Sequence, residues 1–109
     1  MKTTGNIADA TSRQSTVDAA SHHHYWVTVF CNTSTDTYSV HYSIDIHNLL
    51  SRLAAATIPV YVKCYNDMCD ALGHKLFLDT ISADTLKRII KLQNPKRADI
   101  RDNFEQYVK

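Results

Sequence analysis

A chain of 109 residues, 44% hydrophobic and 21% charged, has material for one core and no second. Its formal net charge of +1 excludes a strong global field toward nucleic acid or an anionic membrane, and its apolar content excludes wholesale disorder. With only two glycines, neither a P-loop nor a dinucleotide-binding fingerprint can be written.

Residues 1–22 are rich in Thr, Ser, Ala and Asp, and only Ile7 and Val17 offer bulky aliphatic surface. Such a segment buries too little to offset its ordering entropy, so a flexible, dispensable arm is expected. His22-His23-His24 closes it; consecutive histidines on an extended chain alternate sides and make no preformed tetrahedral site. No apolar run approaches the roughly 20 residues that span a bilayer, and the amino terminus has no apolar signal-like stretch. Cys31, Cys64 and Cys69 form an odd, unpatterned set that suits small buried thiols in a reducing compartment. A cytoplasmic protein with no membrane partner and no cofactor is expected.

From Tyr25 the chain turns β-branched and aromatic, which predicts a half-buried strand over Tyr25–Phe30. Asn32-Thr33-Ser34-Thr35-Asp36 has turn chemistry, and Thr37 to His41 resumes the strand pattern, so the two segments predict a hairpin. Ser43 is the expected cap of a helix with Asp45 in its first turn and an apolar stripe of Ile46, Leu49, Leu50 and Leu53. Pro59 is expected to end that element, with a five-residue strand from Val60. Asn66 then caps a helix carrying Met68, Leu72 and Leu76 on one inward face, weakened by Gly73 in a crowded interior or a frayed end. Ser82 caps the next helix, with Leu86, Ile89 and Ile90 inward and Lys87, Arg88 and Lys91 outward, stopped by Asn94-Pro95. A final helix over residues 98–108 is expected to carry Ile100, Phe104 and Tyr107. The string predicts an α+β fold: a three-stranded, mainly antiparallel sheet flanked by helices.

The order and spacing of these pieces resemble the small stand-alone GIY-YIG endonuclease domains over Tyr25 to about Ile100, so that residues 23–109 read as one such domain. In that family an aromatic-Val-Tyr step ends the first strand and a Tyr-aliphatic-Gly step follows about ten residues later. Here Thr28 stands at the first tyrosine and Tyr38-Ser39-Val40 at the second motif. The family's Thr-x-Asp-Leu-x-x-Arg stretch is matched by Tyr42 to Leu49, with Asn48, or Leu49 if one residue is inserted, in the arginine's place. Its later strand, acidic helix start and Ala-Leu step are matched by Val60-Tyr61-Val62, Asp67 and Ala71-Leu72, with Lys75 in the place of the glutamate. Ile89-Ile90, Asn94-Pro95 and Asp99-Ile100 match its close.

The resemblance implies that the tyrosine helps activate water, the arginine steadies phosphate and the glutamate holds a divalent metal. Here Lys75 puts a cation where a cation must bind, and Asn48 lacks the guanidinium fork, so only Tyr38 survives as a vestigial catalytic residue. Asp70 or Asp79 stands near the lost glutamate, but a ligand displaced by a helical turn moves roughly 5 to 6 Å. The expectation is an impaired site without metal; magnesium or manganese enters only if a rearranged nuclease is active. Serine, cysteine and histidine triads can be assembled on paper from six histidines, but nothing brings their members together.

What remains is binding. Lys87, Arg88, Lys91, Lys96, Arg97 and Arg101 fall within fifteen residues against one acid, Asp99, and the first five are the expected contacts for DNA or RNA. The plainer reading is a solvated helix face. Tyr25, Trp26, Tyr38, Tyr42, Tyr61 and Tyr65 offer stacking surface, although strand aromatics commonly serve as half-buried sheet residues. His41 and His47 flank the former active site. A protein partner is the other expected ligand class, and an unrelated small α+β adaptor, recognisable by an exposed apolar patch, is the remaining alternative.

Overall fold

A computed structural model of the chain describes residues 24–107. The expected arm, with His22 and His23, lies outside the described residues. Strands β1 (Tyr25–Asn32), β2 (Thr37–Ser43) and β3 (Thr57–Tyr65) form one sheet in the order β2-β1-β3, with both pairings antiparallel. Helices α1 (Ile46–Ser51), α2 (Met68–Thr80) and α3 (Ala83–Gln93) follow in the chain order β1-β2-α1-β3-α2-α3, and a 3-10 turn spans Phe104–Tyr107. This is the α+β class that the hydrophobic pattern predicts.

The central strand of the sheet is buried on both faces. Val27, Val29 and Cys31 pack with Ala71 and Leu78 of α2 and Leu86 and Ile90 of α3, while Phe30 and Val62 pack with Ile46 and Leu50 of α1 and with Ile100 and Phe104. Val27 through Cys31 are therefore all buried, where composition suggested a half-buried strand. A central strand covered twice shows no polar alternation. Thr28 is only 1% exposed, and its Oγ1 donates to the Tyr61 carbonyl at 2.8 Å, which satisfies a hydroxyl held inside an apolar sheet.

Strand β3 corrects the expectation that Pro59 closes a helix. Helix α1 stops at Ser51, and Pro59 sits inside a nine-residue edge strand, opposite Phe30 at a register shift that leaves Val60 without a partner in β1. An edge strand tolerates a residue without an N–H, and the bulge takes up the irregularity. The outer edge of β3 is closed by the last residue of α3 and the chain that follows it. Gln93 pairs with Val62 like a strand, Oε1 accepting from its N–H at 3.0 Å and Nε2 donating to its carbonyl at 2.7 Å. Asn94 Nδ2 donates to the Val60 carbonyl at 3.0 Å, and the Ile100 N–H donates to the Pro59 carbonyl at 3.1 Å. Ile100 and Phe104 are pinned by this seam and not by the helix expected over residues 98–108; the side chain of Tyr107 lies outside the described residues.

Three helix starts were read from capping chemistry, and one stands as read. Ser82 caps α3, its Oγ accepting from the Thr85 N–H at 3.2 Å. Asp45 caps α1 in place of Ser43, whose Oγ instead accepts from the Asp45 N–H. Asp67 caps α2 in place of Asn66. A carboxylate accepts these amide bonds more strongly than a neutral side chain, and the helix dipole favours its charge.

Helix α2 holds the largest departure. Ala71 and Leu78 face the sheet, whereas Met68, Leu72 and Leu76, expected inside, are 48%, 42% and 64% exposed. Leucines occur on both sides of this helix, and the two stripes cannot be told apart by period alone. Gly73 lies on the open side, with no heavy atom beyond its chain neighbours and its own helix backbone within 4 Å of where a Cβ would stand, so crowding does not explain it. Among the described residues no helix is long and apolar enough to cross a membrane.

Candidate anion-binding site

Leu86 and Ile90 turn inward from α3, and helical geometry then directs Lys87, Arg88 and Lys91 outward. At its carboxyl end Asn94 is 2% exposed and acts as an anchor: besides its bond to Val60, Nδ2 donates to the Ala98 carbonyl at 2.8 Å and Oδ1 accepts from the Ala98 N–H at 3.1 Å. This knot folds Pro95, Lys96 and Arg97 back beside the helix. Arg97 adopts φ 50°, a left-handed conformation that costs a side-chain-bearing residue about 1–2 kcal/mol.

The result is a cavity of about 360 Å³. Lys87, Arg88, Lys91, Lys96 and Arg97 line it with Asp84, so its walls carry five cations and one acid, a formal +4. Ile90 and Pro95 supply apolar surface, and Tyr38 of β2 forms the far wall. All five expected cationic contacts and Tyr38, 49 to 59 positions away in sequence, thus meet at one site.

Asp36 is the residue that sequence reading missed. It lies in the β1–β2 turn, where Asn32 Oδ1 accepts from the Ser34 and Thr35 amides, and it adopts φ 54°. Its carboxylate accepts from Arg97 Nη1 at 2.9 Å and lies 3.9 Å from Lys87 Nζ. Arg97 Nη1 also donates to the Tyr38 hydroxyl, and its guanidinium carbon stands 5.9 Å from the centre of the tyrosine ring. These bonds, Tyr38's first and Asp36's second, push the Arg97 pKa above its ordinary value. Asp36 and Arg97 are the two side-chain-bearing residues with positive φ among those described. The turn composition marks Asp36 as a turn residue, and nothing in it reports a partner 61 positions away.

Tyr38 and Lys87 also wall a neighbouring groove of about 600 Å³ that contains Asp36 and Asp79. Both carboxylates are engaged by cations, Asp79 by Lys75 Nζ at 2.6 Å and Asp36 by Arg97 and Lys87. The other positions matched by the resemblance lie elsewhere. Thr28 is buried in the sheet, and Asn48 belongs to α1 on the opposite face, where its Oδ1 accepts from Arg52 Nε at 3.2 Å. Arg101, the sixth cation of the run, donates to the Thr57 carbonyl at 3.2 Å and lies 3.4 Å from Asp99, outside the cavity.

The remaining candidates serve packing. His41 stacks on Phe30 at 4.6 Å with its pKa lowered, by burial first and by Lys75 second; His47 meets the ring of Phe104 at 5.5 Å. Tyr25 stacks on Tyr42 and Trp26 meets Phe104 edge-on. Burial pushes the Tyr61 phenol up to about 12, and its hydroxyl is hydrogen-bonded to His74 Nε2 at 3.0 Å; burial first and Lys63 second lower the His74 pKa. Cys31 is buried as expected, but Cys69 is exposed. Among the described residues no group of three or more His, Cys, Asp or Glu side chains is placed to hold a metal ion.

A second surface lies on the solvent side of α2, where the exposed Met68, Leu72 and Leu76 recur at helical spacing; Phe77, 49% exposed, lies on the opposite flank of the helix from Met68. No protein-family model, no curated protein and no solved structure matches this chain.

Proposed function

We propose that this chain is a catalytically impaired GIY-YIG-like domain that binds nucleic acid weakly through the cavity between α3, the Asn94–Arg97 turn and Tyr38. One observation carries the reading: among the described residues, five cations and one aromatic edge converge on a concave site lined by a single acid, Asp84. Phosphates enter such a site by releasing counterions, and a tyrosine rim offers a face to a neighbouring base. Cleavage is not part of the proposal. Lys75 is bonded to Asp79, and Asn48 supplies no guanidinium, so neither the metal nor the phosphate of a hydrolytic transition state has its partner.

The test is fluorescence anisotropy of a labelled single-stranded oligonucleotide with the full chain. Affinity should fall linearly in log–log form with salt, and Lys87→Ala with Lys91→Ala should flatten the slope by about 1.4, two phosphates at roughly 0.7 each. An unchanged slope would remove the cavity from the interaction. With magnesium or manganese the oligonucleotide should stay intact; metal-dependent cleavage abolished by Tyr38→Phe would restore the active-nuclease alternative.

The exposed stripe of α2 favours a second reading, a protein-interaction role. Three large apolar side chains, Met68, Leu72 and Leu76, on one open helix face are more than scattered surface hydrophobics.

A further inference from the structure

The cavity already has an anionic occupant at its rim. Asp36 reaches Arg97 at 2.9 Å and Lys87 at 3.9 Å, so two of the five cations are partly neutralised before any ligand arrives. Asp36 is tethered by a short turn and therefore competes as an intramolecular ligand at high effective concentration. That competition sets a condition on charge. A phosphodiester carries one negative charge, as the carboxylate does, and exchanging one for the other gains little. A phosphomonoester carries about −1.5 to −2 at neutral pH with three acceptor oxygens, so it alone brings a surplus.

The shape admits such a group. Ile90, Pro95 and Tyr38 help wall a half-open concavity of about 360 Å³ whose five cations are exposed. A strand end can place its terminal phosphate there while its first base meets the Tyr38 ring. We infer that the site is specific for a terminal phosphomonoester of a nucleic-acid strand, with Lys87 and Arg97 released from Asp36 to bind it. The inference rests on the nucleic-acid reading and narrows it to strand ends.

The experiment compares one single-stranded oligonucleotide sequence in three forms, 5′-phosphorylated, 3′-phosphorylated and with hydroxyls at both ends, each titrated with the full chain at pH 7.5. At least one phosphorylated form should bind about ten-fold tighter than the hydroxyl form, because the second charge makes charge-assisted bonds that the diester cannot. That advantage should shrink below about pH 6, where the monoester gains its second proton. Asp36→Asn, which suits a left-handed turn position, should strengthen the hydroxyl form and so narrow the gap; Asp36→Gly should do the same if Asn disturbs the turn. Equal binding of all three forms, or a gap unchanged in both Asp36 variants, would overturn the inference while leaving nucleic-acid binding in place. No binding of any form would overturn the underlying reading as well.

Discussion

Replacing Asn94 by alanine should be among the costliest single changes outside the apolar core. The side chain is 2% exposed and makes three hydrogen bonds, to the Val60 and Ala98 carbonyls and from the Ala98 N–H. Ala98 is exposed, so water can replace its two bonds at small cost. Val60 is 0% exposed and bulged, so its carbonyl loses its outer partner without access to solvent. One buried orphan acceptor costs about 1–3 kcal/mol, and loss of the knot that orders Pro95 to Arg97 adds to it, giving about 2–4 kcal/mol in all. With an m-value near 1 kcal/mol/M for a domain this small, the urea midpoint should fall by about 2–4 M. Asn94→Asp should be worse at neutral pH, since it turns a carboxylate toward the same two carbonyls, and should recover partly in acid. An Asn94→Ala midpoint within 0.5 M of the parent would show that the seam between α3 and β3 does not depend on this residue.

Leu50→Ala and Ile90→Ala should each cost about 2–5 kcal/mol, and because the two side chains pack on opposite faces of the sheet the losses should add in the double variant. Gly73→Ala should raise stability by up to about 1 kcal/mol, read as a higher thermal midpoint, because the methyl group meets nothing. His41 and His74 both have folded pKa values below the ordinary 6.5, so the unfolded chain takes up their protons first. Stability should hold above about pH 6.5 and fall as the pH drops toward the lower folded values, and His74→Gln should flatten that fall in urea melts from pH 8 to pH 5.

Elements built on strong local signals were legible. β-branched and aromatic runs marked β1 and β2, and Ser82 with the Leu86/Ile90 spacing marked α3. Pro59 misled because its meaning depends on whether a strand lies at an edge, which only the sheet order decides. The inward side of α2 misled because Met68, Leu72 and Leu76 keep helical spacing as well as Ala71 and Leu78 do, and the small Ala71 is the residue that lets the helix approach the sheet. The cationic half of the candidate site could be read as a run, since five of its members lie within eleven residues. Its concavity, the meeting with Tyr38 and the Asp36 counter-charge arise from chain return at Asn94, which no local pattern encodes.

The most direct test of where this protein binds is an amide NMR titration of the full chain with a 5′- or 3′-phosphorylated single-stranded oligonucleotide. Binding at the cavity predicts shifts confined to Asp36–Tyr38 and to the run from Asp84 to Arg97, with little change at Leu72 and Leu76. Shifts centred on the open face of α2, or on α1 across the sheet, would contradict it.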